Sequence, residues 1–458
     1  MKKLTSRLLV ACLIFSALPI SACSGVYEDD VLRIASWDEY IDMGGEDSYY
    51  DENSRPIYEE FVDWYYEQTG KKIKVEYVAL QDNETMYNKI KMGDRYDLLC
   101  PSEYMAMKLK SENRLLAYPD EFFDASIPTN YYAQNVSHYT NEVFGEAQLT
   151  GYIAGYMWGT TGFVFNPETI ADTPEKSREI MSSWSCLTAK ECNRKITAKD
   201  NVRDSYFMGL GLYYEQTLLE EKARLQSAKD KYNNGETSEA DYLATLRDYK
   251  NTLNGMMNDT LDATTKKVKP LLKSMRGNVY GLETDEGKMD VATGLVDACY
   301  QWSGDAVYIL DVGEEEDLEL EYSIPSSASN LWFDGWVMMK DTKNADAAMA
   351  FVNYISRPDN VVRNMYYIGY TSCLGGQEVY DYVVDTYGAE DGEENVVSYD
   401  LSYFFGDTYE PFLAPESQTR RQLFAQYPDK TTTERLVVMK YFDQQTNERI
   451  NRMWINIK

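Results

Sequence analysis

The sequence predicts an α/β protein with mostly parallel sheets, divided into two lobes. Strand and helix patterns alternate along the N-terminal part of the chain, which is typical of a parallel sheet covered by helices. A glycine-containing apolar run at 151–165 has the composition of a strand that passes between two bodies. The chain has 458 residues, 44% of them hydrophobic, which is enough for more than one core.

The first alternating elements lie in the N-terminal quarter of the chain. Periodicity predicts strands at 31–36, 72–78 and 97–100, and helices at 57–68, 84–91 and 104–113. Gly70 and Gly93 follow the first two helices, where a left-handed residue commonly ends a helix. Ligands of such sheets bind beyond the carboxyl ends of the strands, where Trp37 and Ser102 fall.

Further strands follow the apolar run at 151–165. Strand patterns resume at 287–308 and at 331–339. A helix is predicted at 345–355, and an Arg-Pro pair follows it. Strands and helices are therefore predicted to alternate again in the second half of the chain.

The middle of the chain, 208–273, is strongly helical. A break at Asn233-Asn234-Gly235 is followed by a cap-like start at Ser238. The part at 214–257 is rich in charged residues and tyrosine, with sparse apolar positions. This pattern indicates a helical hairpin on the surface, and a solvated decoration explains it better than a partner-docking arm.

The first 22 residues have the pattern of an export signal. Three basic residues precede an apolar stretch that is too short for a membrane span. The stretch closes with Ile-Ser-Ala directly before Cys23, which resembles the processing box of bacterial lipoproteins. We therefore expect a signal peptide at 1–22, lipidation of Cys23 and a lipidated tether at 23–30. An ordinary cleavage site with an incidental cysteine is the alternative.

No later stretch approaches the roughly 20 apolar residues that a spanning helix needs. We therefore expect an extracytoplasmic protein that is attached to the cell membrane only through its lipid. Such a protein would meet its ligands outside the membrane.

The composition is acidic and aromatic. The chain has 45 Lys+Arg against 75 Asp+Glu, and its formal net charge of −30 argues against nucleic acid and for a cationic partner. His138 is the single histidine, so a multi-His metal site lacks ligands, and neither a metal nor a cofactor is predicted. The 39 Tyr and 8 Trp supply aromatic faces, which together with carboxylates suit cationic organic ligands.

Several spaced motifs occur in an order that resembles one protein family. They are Trp37-Asp38-Glu39-Tyr40, Asn83-Glu84-Thr85-Met86-Tyr87, Tyr96-Asp97-Leu98-Leu99-Cys100-Pro101-Ser102-Glu103-Tyr104, Met157-Trp158-Gly159-Thr160-Thr161-Gly162, Trp302-Ser303-Gly304, Trp332-Phe333-Asp334 and Ile368-Gly369-Tyr370. Together with the export signal, they resemble the spermidine/putrescine-binding proteins of bacterial ABC importers, over roughly residues 31–458. The departures are the insertion-like helices at 214–257, Tyr370-Thr371-Ser372 where Tyr-Thr-Pro is common, and a loose match over 375–426.

The resemblance implies a two-lobed, periplasmic-binding-protein-like fold, the type II solute-binding protein, which closes like a hinge on its ligand. Lobe one is expected to hold 31–152 and 333–371, and lobe two 155–332 and 372–458, with the helical insertion at 214–257. The implied function is capture of a polyamine, spermidine or putrescine, and its delivery to the permease of an ABC transporter. No catalytic step is implied, and we expect a monomer.

The sharpest candidate pair for ligand binding is Trp332 and Asp334. They lie two apart in a strand-like run, so both point to one face, and an acid inside such an apolar run needs a reason. The alternative is that Asp334 is a turn residue before Gly335 and that Trp332 belongs to the core. A polyamine needs aromatic walls for its methylenes and carboxylates for its ammonium groups, and this pair supplies both.

The resemblance adds further ligand-binding residues: Trp37, Tyr40, Ser102, Tyr104, Asp204, Trp302 and Tyr370. Core packing of the aromatic residues and helix capping by Ser102 and around Asp204 are the alternatives. Asp204 stands where family members commonly carry Glu, and the shorter side chain leaves a gap of about one methylene that could favour a bulkier amine.

Two other functions remain open from the residues alone. Aromatic platforms and acidic acceptors also suit an oligosaccharide-binding protein. A surface glycan-degrading enzyme would need two essential carboxylates, and no spacing singles out such a pair. The sequence contains no nucleophile elbow of the Gly-x-Ser-x-Gly kind and no phosphate-binding Gly-x-x-x-x-Gly-Lys loop. We therefore expect a binding protein and not an enzyme.

Overall fold

The computed structural model describes residues 30–283 and 287–458. The predicted signal peptide at 1–22, the Cys23 lipidation site and residues 24–29 of the tether lie outside the described residues. Within the described ranges, every helix is too short or too polar to serve as a membrane span.

Strands and helices alternate along most of the chain. The strands are β1 (Val31–Trp37), β2 (Lys74–Leu80), β3 (Leu98–Leu99), β4 (Leu115–Leu116), β5 (Ala154–Phe165), β6 (Ile196–Lys199), β7 (Gly281–Glu283), β8 (Ala298–Trp302), β9 (Glu321–Ser323), β10 (Ser329–Met339), β11 (Thr371–Ser372), β12 (Val396–Tyr399), β13 (Phe412–Pro415) and β14 (Leu436–Val438). The helices are α1 (Ile57–Thr69), α2 (Asn83–Met92), α3 (Glu103–Ser111), α4 (Tyr131–Asn135), α5 (His138–Glu146), α6 (Pro167–Ile170), α7 (Pro174–Met181), α8 (Val202–Asn233), α9 (Glu239–Met257), α10 (Asp262–Asn278), α11 (Gly287–Ala292), α12 (Ser303–Glu315), α13 (Ala345–Ile355), α14 (Pro358–Ile368), α15 (Gln377–Tyr387), α16 (Ser402–Phe405), α17 (Gln422–Gln426), α18 (Lys430–Thr433) and α19 (Gln444–Ile455).

Local chemistry sets several helix ends where the sequence predicts them. Gly70 ends α1 and Gly93 ends α2, each in the left-handed conformation that glycine adopts without a Cβ clash. The side chains of Asp82, Asn201 and Ser238 accept backbone N–H bonds at the starts of α2, α8 and α9. These ends follow from residues that are adjacent in sequence.

The segment 287–308 differs from its predicted strand character. It forms α11, the five-residue strand β8 and the first turns of α12. Ala306, Ile309 and Leu310 are buried, because their spacing places them on one side of a helix. The predicted strand character is confirmed at β8 and was wrong for the rest of the segment, since a short apolar run fits either a buried strand or a buried helix.

The main sheet has the strand order β2-β1-β3-β10-β5-β8-β6-β7. β1 is parallel to β2 and β3, and β6 is parallel to β7 and β8. Between these parallel groups, β10 runs antiparallel to β3 and β5, and β5 runs antiparallel to β8. Two mostly parallel halves therefore meet along the long strands β5 and β10.

β5 and β10 pass from one lobe to the other. Residues 154–160 of β5 pair with β10, and residues 161–165 pair with β8. Leu32 and Leu98 lie in one cluster of buried side chains, whereas Ile196 and Tyr300 lie in another. The predicted fold class, an α/β protein with two hinge-connected lobes, is confirmed.

The C-terminal segment 372–458 divides between the lobes. Cys373 and Tyr427 lie in the buried cluster of lobe one, and Val437 and Trp454 lie in that of lobe two. The sequence-based division instead assigned this whole segment to lobe two. The difference arises because β11 pairs with the first half of β5, which draws the chain after it onto lobe one.

The insertion-like helices at 214–257 are the outer part of α8 together with α9. Leu225, Tyr249 and Leu253 are buried, so the hairpin packs onto lobe two. In α9, Lys250 Nζ lies 3.5 Å from a carboxylate oxygen of Glu146 in α5. The insertion therefore also contacts α5, which follows the first four strands in the chain.

Candidate functional site between the lobes

Asp334 is a buried acid in β10, at a point where the pairing with β5 shifts register. Its side chain is held by two donors: Trp37 Nε1 donates to Oδ2 at 3.0 Å and the Tyr40 hydroxyl donates to the same oxygen at 2.8 Å. The residue is 5% exposed, and its Oδ1 has no hydrogen-bond partner among the described residues. One carboxylate oxygen is thus fixed in place, while the other is buried and its capacity to accept a hydrogen bond is unused within the described residues.

Burial raises the pKa of the Asp334 carboxyl, and the nearby polar groups of Ser102, Tyr40 and Trp37 lower it in part. Among the described residues, no cationic side chain adds to these effects on the pKa of Asp334. A cation that approached Oδ1 would stabilise the ionised form, which burial disfavours.

Aromatic rings line the neighbourhood of Asp334. The Trp332 and Tyr370 ring centroids are 5.2 Å apart, and Tyr40 meets Tyr370 edge-on at 5.9 Å. Trp332 Nε1 donates to the backbone oxygen of Thr160 at 3.1 Å, which fixes the indole. Five of the predicted residues, Trp37, Tyr40, Trp332, Asp334 and Tyr370, are therefore brought together.

Ser102 lies beside this cluster. Its backbone forms an isolated bridge with Asp334, and its hydroxyl accepts a hydrogen bond from Asn83 Nδ2 at 2.9 Å. Ser102 occupies the N-cap position of α3, but its side chain makes no capping hydrogen bond. Asn83 therefore orients the hydroxyl beside Asp334.

Tyr104 and Asp204 lie around a different group, the Arg203 guanidinium. The guanidinium carbon lies 3.9 Å from the centroid of the Tyr104 ring, and the Tyr104 hydroxyl donates to the Glu84 carboxylate at 3.2 Å. Asp204 is buried in the first turn of α8, where Asn201 bonds to its backbone N–H and its carboxylate. One face of Tyr104 is thus already covered by a cation of the chain.

Burial raises the pKa of Asp204, and Asn201, Lys199 and Arg203 oppose this rise. Asp204 is therefore an acid whose charge is balanced by the chain itself, in contrast to Asp334.

Trp302 is linked to the Asp334 cluster through Asp305, which the sequence analysis missed. The Tyr370 hydroxyl donates to Asp305 Oδ1 at 3.3 Å, and this bond joins the two lobes. The Lys199 ammonium lies 4.0 Å from the Trp302 ring centroid and 3.9 Å from Asp305 Oδ2. Asp305 follows the Trp302-Ser303-Gly304 motif directly, and this position was the signal that could have revealed it.

Glu103 is a second missed acid. It is 2% exposed, and its Oε2 accepts the backbone N–H of Phe333 at 3.3 Å. The pKa of Glu103 is raised to about 8, chiefly by burial and also by the Asp334 carboxylate, while the Arg203 guanidinium opposes the rise. Glu103 adjoins Ser102 in a motif that the sequence analysis had already singled out.

We name the eight residues Trp37, Tyr40, Lys199, Trp302, Asp305, Trp332, Asp334 and Tyr370 the interlobe site. Its members come from the carboxyl ends of β1, β6 and β8, the start of α12, the strand β10 and the segment before β11. Parallel strands of each lobe thus point their carboxyl ends at this site, as expected for ligand sites of such sheets.

A family model described as "Bacterial extracellular solute-binding protein" matches residues 60–376. This range spans well over half of the chain and both lobes. The chain belongs to the family of bacterial extracellular solute-binding proteins. The family model thus agrees with the resemblance noted in the sequence. Members of this family are extracellular, which supports an extracytoplasmic location.

Curated relatives of this solute-binding protein carry related names. The "Spermidine/putrescine-binding periplasmic protein" of Salmonella typhimurium is 24% identical over 81% of this chain and 84% of its own length. The protein of the same name from Escherichia coli is 23% identical over the same shares of both chains. These names confirm the resemblance that the spaced motifs indicated.

Solved structures support the fold of this solute-binding protein. A spermidine/putrescine ABC transporter substrate-binding protein from Streptococcus pneumoniae has a TM-score of 0.58 at 23% identity, covering 93% of this chain and 98% of its own. A lipoprotein of Treponema pallidum has a TM-score of 0.59 at 15% identity, covering 94% and 99%. At these identities the likeness establishes the two-lobed fold.

Proposed function

We propose that this solute-binding protein captures a polyamine at the interlobe site and delivers it to the permease of an ABC importer. The observation that carries the proposal is Asp334 Oδ1, a buried carboxylate oxygen without a partner among the described residues. It lies in a cluster of aromatic rings, which can cover the methylenes of an alkyl amine.

An ammonium group fits this position better than a sugar hydroxyl. Ammonium carries three donors and no acceptor, so it satisfies an oxygen that only accepts. Its charge also offsets the cost of holding a carboxylate out of water, which a neutral hydroxyl does not. The face of a nearby ring adds about 0.5 to 2 kcal/mol for each cation–π contact.

The names of the relatives support the same ligand class. Those from Salmonella typhimurium and Escherichia coli are named for spermidine and putrescine, and a further Escherichia coli relative, 23% identical over 73% of this chain, is named for putrescine. The Streptococcus pneumoniae structure is named as the substrate-binding protein of an ABC transporter, which supports the proposed delivery to a permease.

Calorimetric titration of the purified protein tests the proposal. Putrescine, spermidine and spermine are titrated beside a panel of oligosaccharides, at two salt concentrations. We expect heat with the amines and weaker binding at higher salt, because the contact joins opposite charges. Heat with sugars alone, or release of product from a glycan, contradicts the proposal.

The substitution Asp334→Asn separates charge from shape. Asn keeps an oxygen for the Trp37 and Tyr40 donors but removes the charge that an ammonium needs. We expect amine affinity to fall about 30- to 150-fold, as for the loss of a charged hydrogen bond of about 2 to 3 kcal/mol. Asp63→Asn on the exposed face of α1 is the control, since it changes the net charge equally and should leave affinity unchanged. Equal affinities of Asp334→Asn and the parent protein would contradict the role of Asp334.

A further inference from the structure

A lysine of the chain occupies one end of the interlobe site. Lys199 is the last residue of β6 and is 1% exposed. Its ammonium lies 4.0 Å from the Trp302 ring centroid and 3.9 Å from Asp305 Oδ2. An aromatic face combined with a carboxylate is the arrangement that a protein offers to an ammonium ligand, and here the chain supplies the ammonium itself.

The carboxylates of the site are therefore neutralised unequally. Asp305 also pairs with Lys288 Nζ at 2.8 Å. Asp204, a buried acid outside the interlobe site, has its charge balanced by Lys199 and Arg203. Asp305 Oδ2 likewise has no hydrogen-bond partner among the described residues, but it lies 3.9 Å from the Lys199 ammonium. Asp334 has only neutral hydrogen-bond donors in the described part of the chain, and its Oδ1 has neither a hydrogen-bond partner nor an ion-pair partner there.

The position of Lys199 also bears on the length of the ligand. The Tyr370 ring contacts Trp332 and Tyr40 on the Asp334 side, and its hydroxyl bonds to Asp305 on the Lys199 side. A ligand held at Asp334 that extends past Tyr370 therefore approaches the Lys199 ammonium. A second ammonium there meets a like charge at short range in a site shielded from water, where such repulsion is strong.

We propose that Lys199 sets the charge of the ligand: the site takes an amine with one ammonium end, held at Asp334, and a neutral, hydrogen-bond-accepting end that faces Lys199. The chemical class is a mono-N-acylated di- or polyamine, whose amide oxygen accepts from the lysine. This inference rests on the proposed function, because it specifies which members of the proposed ligand class bind: amines with one ammonium group rather than two or more.

Titration with a matched pair of ligands tests the inference on the unaltered protein. Putrescine carries two ammonium groups, and N-acetylputrescine carries one at nearly the same chain length. We expect N-acetylputrescine to bind at least tenfold more tightly, the fold-change of one 1.4 kcal/mol step. Putrescine binding as tightly as N-acetylputrescine, or more tightly, overturns the inference and leaves the proposed function standing. Absence of heat with every amine overturns both.

Variants of the lysine give a second measure. Lys199→Met keeps the length of the side chain and removes its charge, so the preference for N-acetylputrescine should shrink about tenfold or reverse. Lys199→Arg retains the charge and should retain the preference. Lys195→Met is the control, because Lys195 precedes the opposite end of β6, pairs with Asp297 at 3.1 Å and carries the same charge. An equal preference in Lys199→Met and the parent, with both folded by circular dichroism, overturns the inference.

Discussion

Individual buried acids of the interlobe region differ in what stabilises them. Asp305 has lysine partners, Asp334 has two neutral donors to one oxygen, and Glu103 has one backbone N–H. Burial raises the pKa of Asp334 and Glu103, because the charged form loses water. Arg203 opposes the rise for Glu103, whereas only neutral groups oppose it for Asp334 among the described residues.

Glu103 should make the stability of the protein depend on pH. Burial raises its pKa in the folded protein to about 8, against 4.5 ordinarily. Below 4.5 the carboxyl is protonated in both states, so its contribution to stability is fully present; as pH rises from 4.5 to 8, only the unfolded chain ionises, and the contribution is lost. We expect the free energy of unfolding of the parent protein to fall by about 2 to 4 kcal/mol across this range relative to Glu103→Gln.

Denaturant unfolding of both proteins at pH 5, 6, 7 and 8 measures this difference. Glu121→Gln is the control, because Glu121 is exposed and no change in the pH profile is expected from it. Parallel pH profiles of Glu103→Gln and the parent would show that Glu103 is ionised in the folded protein throughout.

At the scale of elements, the start of α12 is shaped by a close contact. A Cβ built on Gly304 would lie 1.5 Å from Tyr370 Cδ1, so the ring packs directly against the helix backbone. This contact places the Tyr370 hydroxyl within reach of Asp305, one residue further along α12. The glycine is thus required by the approach of lobe one to lobe two and not by its backbone angles.

Gly304→Ala should therefore destabilise the contact between the lobes. An alanine normally favours a helix over glycine by about 1 kcal/mol, but here the methyl group must displace Tyr370, at a cost of about 1 to 3 kcal/mol. We expect lower amine affinity in calorimetry and a lower melting temperature. Gly277→Ala in α10 is the control, since its Cβ would meet nothing within 4 Å, and it should be neutral or stabilising. Equal behaviour of the two variants would contradict the close packing of Tyr370.

The elements differ in how well the sequence predicts them. α1 and α2 were predicted closely because their glycine ends and their apolar spacing are local signals. The segment 287–308 was not, since its short apolar runs fit both strand and helix until the neighbouring elements are known. The helical insertion was predicted as a surface hairpin, but its packing onto lobe two through Leu225 and Tyr249 depends on distant partners.

At the scale of the whole molecule, two lobes share the strands β5 and β10. Both strands run through the boundary between the lobes, so a small change of twist there would move one lobe against the other. Hydrogen bonding of Tyr370 to Asp305 and packing of Arg203 on Tyr104 join the lobes on the site's side. In the proposed function, a polyamine bound at the interlobe site would add contacts to both lobes and favour the arrangement in which they are closed on it.

The position of the whole protein in the cell should depend on Cys23. If this cysteine is lipidated, Cys23→Ala prevents attachment of the lipid and releases the protein from the membrane fraction. We expect labelled palmitate to be incorporated into the parent protein and not into Cys23→Ala. Cys100→Ala is the control, because Cys100 is buried in the folded body and should not affect labelling. Equal labelling of Cys23→Ala and the parent would contradict the lipoprotein prediction.

The sequence by itself determined the alternating strands and helices, the helix ends and the aromatic and acidic motifs, because these depend on neighbouring residues and on periodicity. Trp332 and Asp334 were predicted as a pair in this way, since strand geometry places residues two apart on the same face. Only the tertiary structure decided which cationic side chain lies beside which carboxylate. Lys199, Trp302 and Asp305 come together through the pairing of β6 with β8, and the C-terminal segment divides between the lobes through the pairing of β11 with β5. Such contacts depend on packing between residues that are far apart in the chain. A local sequence pattern cannot predict them, because it reports only on neighbouring residues.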